Sequence, residues 1–300
     1  MAFPEPDIFL FINMLKQIFF VLLVATCASL PAAAQKADLP LEAERILAEA
    51  DILYKSEMAS WHGSDLFIAR HPNQGDIGGY FSYVDGGQPR CVFYNKEEVP
   101  KIIGTVVFDS SFNTDLAIVN LTVRGFSDIE QEYYEMRDAV KKAFRTDTTF
   151  SFYKDTNPNM IPVKDAKGKR VYVISGTNKH GVVPLGNDYL LQLDKNNRVT
   201  SNTPLHRTLI LMDYKIKNGL GANGENESGI HSHIPGYSPF ITATDICTLR
   251  LYEPFTHWHQ HIVISEDYVS IWSAKGNKLL IITAQAWKKI SAGVDAEQQK

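Results

Sequence analysis

Short segments rich in β-branched and aromatic residues, separated by turn residues, recur along most of this 300-residue chain. FSYVD, RCVFYN and IIGTVVF are typical of strands, and so are YLLQLD, HIVIS, YVSIW and KLLIIT farther along. Between them lie three stretches with helical features: Leu39 to Lys55, the segment after Ser127 and the segment after Thr242. This alternation predicts an α/β fold, with strands packed in layers around helices.

The first 34 residues are typical of an export signal. From Met14 the chain has one lysine, an apolar run and small residues that end at Ala34, which is the order of a secretory signal peptide. We therefore predict a signal peptide over residues 1–34, with Met14 as the true start. A membrane anchor is the alternative, but Lys16 interrupts the apolar run. The mature protein is expected to be periplasmic or secreted, without a stable membrane span.

Two folded regions are expected after the signal peptide. Residues 36–146 are predicted to form an α+β region, in which Ser127 and Glu130 have the spacing of a helix capping box. Residues 147–169 are polar and rich in turn residues, and we interpret them as a connector. Residues 170–292 alternate strands with a helix, which predicts a layered α/β domain with a mixed sheet.

Charge and cysteine content narrow the choice of partners and compartment. The net charge is −4, without a block of like charges, so we expect neither nucleic acid nor an anionic membrane as a partner. The mature chain would keep Cys91 and Cys247, which could pair in an oxidising compartment. Two cysteines do not make a disulfide framework, however, and we expect two separate buried thiols. The oligomeric state is left open.

The segment HSHIPGYSPFITATD carries the strongest functional signal. His231 and His233 are two apart, so in a strand both side chains point to one face. A Pro-Gly turn follows, and a helix is expected to begin at Thr242 or Thr244, which places Asp245 in its first turn. Two imidazoles and one carboxylate are suitable zinc ligands, and three protein ligands leave a fourth position for water. The alternative is a hydrogen-bonded loop with a helix-capping aspartate.

The same segment resembles the signature of the JAMM (MPN-domain) metallopeptidases, which is His-Ser/Thr-His, seven residues, Ser, two residues, Asp. Here HSH is followed by eight residues, then Thr242, two residues and Asp245. The loop is one residue longer, and threonine replaces serine. The resemblance covers the C-terminal region, residues 170–292, and implies a JAMM-like domain there. It also implies that His231, His233 and Asp245 bind zinc and that Thr242 stabilises the oxyanion.

The general base is the main departure from the family pattern. The family uses an upstream glutamate, and the expected position falls near Asn187 or Asp188. Asp188 is therefore the candidate base, although its side chain is one methylene shorter, and a shortfall of about 1 Å can cost about a hundredfold in rate. Glu225 and Glu227, just before the HSH motif, are alternatives with the right chemistry.

Other histidines are interpreted as structural. In HWHQH, the side chains of His257, His259 and His261 would share one face of a strand, and we interpret this run as a solvent-facing edge. His206, a single histidine beside apolar residues, is expected to lie in the core or to support a metal ligand.

The resemblance therefore implies an exported JAMM-like zinc metallohydrolase that uses metal-activated water to cleave an amide or isopeptide bond in a peptide or protein substrate. The alternative is a non-catalytic JAMM-like scaffold that binds a protein or cell-wall partner. The absent glutamate favours the scaffold, whereas the complete ligand set and the threonine favour the hydrolase.

Overall fold

The computed structural model describes residues 38–214 and 228–298, with side chains up to residue 292. The predicted signal peptide and the alternative bases Glu225 and Glu227 lie outside the described residues. The part of the chain from Leu39 onward forms one compact unit. None of the described helices is long and apolar enough to cross a membrane.

Helices form where the sequence predicts them, although two are longer than expected. The helices in the described part of the chain are α1 (Leu39–Ile68), α2 (Asp128–Ala143), α3 (Ala243–Thr256) and α4 (Ala284–Gln298). The predicted capping box of α2 is confirmed, because the Ser127 side chain accepts from the Glu130 N–H and Glu130 accepts from the Ser127 N–H. Thr242 caps α3 in the same way.

Within residues 38–214 and 228–298 the strands form three four-stranded sheets and one two-stranded sheet. In the first sheet the order is β1-β2-β3-β4, in the second β5-β6-β8-β9, in the third β11-β12-β13-β14, and β7 pairs with β10. The third sheet is mixed, since β11 runs parallel to β12 whereas the other pairs are antiparallel. The α/β class is thus confirmed. The strands are β1 (Ile77–Asp85), β2 (Gln88–Asn95), β3 (Ile102–Val107), β4 (Ile118–Asn120), β5 (Thr156–Asp165), β6 (Gly168–Thr177), β7 (Val182–Gly186), β8 (Tyr189–Leu193), β9 (Val199–Pro204), β10 (Leu209–Asp213), β11 (Ser228–Ser232), β12 (Gln260–Ile264), β13 (Tyr268–Ser273) and β14 (Lys278–Thr283).

The predicted connector, residues 147–169, contains most of the β5–β6 hairpin rather than an irregular loop. β5 pairs with β6 along its whole length, from Thr156 opposite Thr177 to Asp165 opposite Gly168. The sequence does not predict this strand because its prolines and asparagines are typical of turns. Prolines are tolerated here because β5 is an edge strand, where one side needs no hydrogen-bond donor.

The buried apolar residues join the two predicted regions. α1 packs against β1, β2 and β3 and also against α3 and β14. Leu53 of α1 contacts a cluster that includes Ile161 and Cys247, while Cys91 lies in a separate cluster. Both cysteines are buried and free, which confirms the prediction of two separate thiols.

Candidate metal centre

The three predicted ligands lie together at the start of α3. His231 is on β11, His233 follows the strand, and Asp245 is in the first turn of α3. Nε2 of His231 lies 3.1 Å from Nε2 of His233 and 3.8 Å from Oδ1 of Asp245. Nε2 of His233 lies 3.5 Å from Oδ2 of Asp245. The strand and the helix therefore bring two imidazoles and one carboxylate to within 3.8 Å of one another.

The capping box of α3 fixes the orientation of the Asp245 carboxylate. Oδ2 accepts hydrogen bonds from the backbone N–H of Thr242 at 2.9 Å and from its hydroxyl at 2.8 Å, while that hydroxyl accepts from the Asp245 N–H at 3.0 Å. This exchange satisfies backbone donors that would otherwise have no partner at a helix start. Oδ1 of Asp245 is buried and has no hydrogen-bond partner in the described part of the chain.

His206 lies beside the predicted ligand Asp245, which is one of the two positions expected for it, although the sequence does not indicate which ligand it contacts. It lies in the loop between β9 and β10, with Nε2 3.1 Å from Oδ1 and 3.2 Å from Oδ2 of Asp245. His206, His233 and Asp245 offer ligand atoms that all lie within 4.8 Å of one another, so this buried group could bind a metal ion. No spacing rule links a lone histidine before β10 to a motif after it, and only the folded chain brings the two together.

His261 is also part of the cluster, so the interpretation of HWHQH as a solvent-facing edge is wrong for this residue. Its side chain is fully buried, and its Nε2 lies 2.8 Å from Nδ1 of His231. The parallel pairing of β11 with β12 places Gly229 opposite His261, and a Cβ on Gly229 would lie only 2.5 Å from its Nδ1. His257 and His259 are exposed and precede the strand, so the three histidines share no face.

The two predicted catalytic residues, Asp188 and Thr242, are both close to His206. Oδ2 of Asp188 lies 3.5 Å from Nδ1 of His206, and Oδ1 accepts a hydrogen bond from the Ser175 N–H at 3.0 Å. Oγ1 of Thr242 lies 3.4 Å from Nε2 of His206. Asp188 and Asp245 therefore contact the two nitrogens of one imidazole, and among the described residues Asp188 makes no ion-pair contact with His231 or His233.

Burial and neighbouring charges raise the pKa values of some side chains in the cluster and lower those of others. Burial alone would lower the pKa of His206, but the Asp245 carboxylate, with help from Asp188, raises that pKa to about 9. Burial raises the pKa of Asp188 to about 6, against the effect of His206. Burial would also raise the pKa of Asp245, yet His206 holds it well below its usual range. Burial lowers the pKa of His231 to about 4 and that of His261 to about 3.

The imidazole hydrogen bonds permit two proton arrangements. Nδ1 of His233 must donate to the carbonyl of Ser238, 3.0 Å away, so Nε2 of the neutral ring keeps a lone pair. If His231 donates from Nδ1 to His261, its Nε2 is a second lone pair 3.1 Å from the first, and a cation between them removes the repulsion. If His261 donates instead, Nε2 of His231 can donate to His233, and the chain is satisfied without an ion.

The dimensions of the cluster fit a tetrahedral ion. Ligand atoms about 2.0–2.1 Å from zinc lie about 3.3 Å from one another at tetrahedral angles. Here the two imidazole Nε2 atoms are 3.1 Å apart, and the nearest carboxylate oxygens are Oδ1 of Asp245 at 3.8 Å from His231 and Oδ2 at 3.5 Å from His233. Oδ1 of Asp245, which lacks a hydrogen bond, has a free lone pair for such an ion. Imidazole nitrogens with one carboxylate oxygen are also the donor set that zinc and similar transition metals accept.

Comparisons with protein-family models, with curated proteins and with solved structures found no match to this chain.

Proposed function

We propose that this protein is an exported JAMM-like zinc metallohydrolase that cleaves an amide or isopeptide bond in a peptide or protein substrate. The observation that carries the proposal is the convergence of His231, His233 and Asp245 at the spacings of a tetrahedral site. The resemblance of the HSH and Thr-x-x-Asp segments to the JAMM signature supports the same chemistry.

Three side chains would hold the ion, and their neighbours orient them. His231, His233 and Asp245 supply the ligands, and a bound zinc would polarise the scissile carbonyl and lower the pKa of a water molecule to near neutrality. The Ser238 carbonyl holds His233 in the tautomer that leaves Nε2 free. His261 does the same for His231 when it accepts the Nδ1 proton. Such supporting contacts are usual around metal-bound imidazoles.

His206 takes the place of the missing glutamate as a proton donor: with a pKa of about 9 its imidazole is protonated at neutral pH, so it would give its proton to the leaving amine. Its Nε2 lies beside Asp245 and within 3.4 Å of the Thr242 hydroxyl, so it can move a proton at the edge of the ligand set. Asp188 faces the other ring nitrogen at 3.5 Å and would stabilise the protonated imidazole. Asp188 then acts through His206 rather than as the base itself. The Thr242 hydroxyl, which donates to Asp245, would steady the carboxylate, and it would assist the oxyanion by turning this proton from Oδ2 toward the substrate oxygen.

The second candidate function is the non-catalytic scaffold, and the observation that favours it is burial. His231 is 8% exposed, His233 is 7% exposed and Asp245 is fully buried. A substrate carbonyl must reach the ion to be cleaved, and the close packing of these three side chains restricts its access. With His206 as a fourth ligand the site would also be closed, as in structural zinc centres. The two functions therefore differ in whether His206 binds the ion.

The experiment compares zinc binding and turnover in the full chain. Zinc-loaded protein is incubated with peptides that carry isopeptide-linked lysines and with linear peptides of the same composition, and products are identified by mass spectrometry. The hydrolase predicts turnover that Asp245→Asn abolishes together with zinc binding. It also predicts that His206→Gln abolishes turnover, while zinc affinity changes less than about tenfold, because His206 is not a ligand. The exposed His259→Gln is the matched control and retains both properties.

Two results would contradict the hydrolase. Loss of zinc from His206→Gln would assign His206 as a fourth ligand and leave no open position for water. Tight zinc binding by the unmodified protein, with no cleavage of either class of peptide, would favour the scaffold.

A further inference from the structure

A cavity of about 800 Å³ lies within the compact unit and is lined by residues of both predicted regions. Residues of α1, β1, α2, β5, β6 and α3 line it, whereas His206, His231, His233 and Asp245 do not. Its volume is in the range of about 300–1,000 Å³ that is typical of small-molecule sites. The cavity is thus a second candidate site, beyond the one assigned to hydrolysis.

Two cations of α2 enter this cavity without an acidic partner. Arg137 and Lys141 are four residues apart, which places them on one face of the helix. Nη1 of Arg137 donates to the Tyr80 carbonyl, and its Nε is buried with no partner in the described ranges. Nζ of Lys141 is 3.3 Å from the Tyr94 hydroxyl. Arg137 is half-buried and Lys141 is exposed, and neither cation forms an ion pair with a described carboxylate.

Another part of the lining is aromatic. Trp61 of α1 and Phe255 of α3 stack with ring centres 6.0 Å apart, and they are 44% and 47% exposed. Large rings left uncovered beside a cavity mark a surface that an apolar ligand can bury. The cavity therefore combines an end that suits an anion with an end that suits an apolar group.

The charges of the lining favour a ligand with one negative charge. Three basic side chains, Arg137, Lys141 and Lys179, are opposed by two acidic ones, Glu57 and Asp65. Above about pH 7, where Glu57 is ionised, this one net positive charge matches a carboxylate better than a doubly charged phosphate. The guanidinium of Arg137 and the ammonium of Lys141 also suit a carboxylate, because its two oxygens can accept charge-assisted hydrogen bonds from both groups.

We propose that this cavity binds a small organic carboxylate, with the carboxylate at Arg137 and Lys141 and the aromatic or aliphatic body against Trp61 and Phe255. The site is separate from the metal centre, and its occupation does not require zinc. Its ligand is a small molecule because the cavity volume of about 800 Å³ is in the range of small-molecule sites.

The test is calorimetric titration of the full chain with hexanoate, 3-phenylpropionate and indole-3-propionate, each beside its neutral primary amide. We expect the carboxylates to bind at least about tenfold more tightly than the amides, since the charge-assisted contacts are lost in the amide. Arg137→Gln should weaken carboxylate binding about tenfold, and Lys141→Met should weaken it severalfold. The result should be the same with zinc and with a chelator, which separates it from the proposed hydrolase.

Lys142→Met is the matched control. Lys142 is the exposed neighbour of Lys141 in sequence, but it pairs with Asp138 and does not line the cavity. It should bind as the unmodified protein does. If Arg137→Gln fails to fold, as thermal melting would show, Lys141→Met decides the question alone. Equal binding of carboxylates and amides, absence of binding, or tighter binding of phenyl phosphate than of 3-phenylpropionate would each overturn the proposal.

Discussion

The Asp245 carboxylate is shared between a helix cap and the candidate metal centre. Oδ2 accepts hydrogen bonds from the Thr242 N–H and from the Thr242 hydroxyl, while Oδ1 lies 3.1 Å from Nε2 of His206 and 3.8 Å from Nε2 of His231. The hydrogen bonds that cap the N-terminus of α3 therefore also orient the candidate ligand Asp245. From the sequence, a capping role for Asp245 is the alternative to metal binding. In the folded chain the two roles are compatible, because they use different oxygens of the carboxylate.

At the residue scale, Thr242 tests this double use. Thr242→Ala removes the hydroxyl that caps α3 and that donates to Asp245, and we expect a loss of about 1 kcal/mol in the free energy of unfolding together with weaker zinc binding. Thr242→Ser keeps the hydroxyl and should lose less than half as much. Urea denaturation measures the first effect and zinc titration the second. Equal losses in the two variants would contradict the role of the hydroxyl.

His261 gives a second prediction at this scale. Its Nε2 is the partner of Nδ1 of His231, so His261→Leu should leave His231 without an orienting contact. We expect zinc affinity to fall about 10–100-fold, as for other supporting residues around metal ligands. The measurement is zinc competition against a chromophoric chelator, with the exposed His259→Leu as the control. An unchanged affinity would show that His231 needs no such support, or is not a ligand.

At the scale of elements, the sequence predicts strands and helices well where their patterns are strong. The alternation of HIVIS predicts β12, and the same alternation puts His261 on the inward face with Val263, a signal that the exposed run HWHQH obscures. The edge strand β5 is not predicted because its prolines read as turns. His206 could not be assigned, since its distance to Asp245 depends on how the loop after β9 packs and not on a local pattern.

Glu57 of α1 supplies a pH-dependent prediction. Burial raises its pKa from 4.5 to about 7, against the effect of the Asn159 hydrogen bond. Because the pKa is higher in the folded state, stability from this group is fully present below about pH 4.5 and is lost as the pH rises through about 7. Glu57→Gln keeps an acceptor for Asn159 without the charge. It should therefore melt at a higher temperature than the unmodified protein at alkaline pH and lose that advantage at acidic pH.

Scanning calorimetry across this pH range measures the effect. A constant difference between Glu57→Gln and the unmodified protein at every pH would show that Glu57 has an ordinary pKa. Glu44→Gln, an exposed change on the same helix, is the control and should show no pH-dependent difference.

At the scale of the whole molecule, α1 connects the first sheet, the second sheet and α3. A buried ion network contributes to this connection: Glu49 of α1 accepts from Nε of Arg170 at 2.7 Å and from the Tyr172 hydroxyl at 3.0 Å. Arg170 also forms two bonds to Asp165. The network joins α1 to the β5–β6 hairpin, and α1 also packs against α3, which carries the candidate ligand Asp245.

Removing Glu49 should therefore affect the entire unit. Glu49→Ala leaves the buried Arg170 guanidinium with only Asp165, and we expect a loss of about 3–5 kcal/mol in the free energy of unfolding. Glu44→Ala, at an exposed position of the same helix, should cost less than about 0.5 kcal/mol. Denaturant unfolding followed by fluorescence and by circular dichroism measures both. A similar small loss in the two variants would show that the network does not stabilise the fold.

The number of zinc ions held by each chain tests whether His231, His233 and Asp245 form a metal site. Purified full-length chain is loaded with zinc at neutral pH, separated from free metal and analysed by plasma mass spectrometry, beside His233→Ala and the exposed control His259→Ala. Convergence of His231, His233 and Asp245 predicts a single tightly held zinc ion per chain in the unmodified protein and in His259→Ala, and none in His233→Ala. An unmodified protein that retains no metal, or a His233→Ala variant that retains as much, would contradict it.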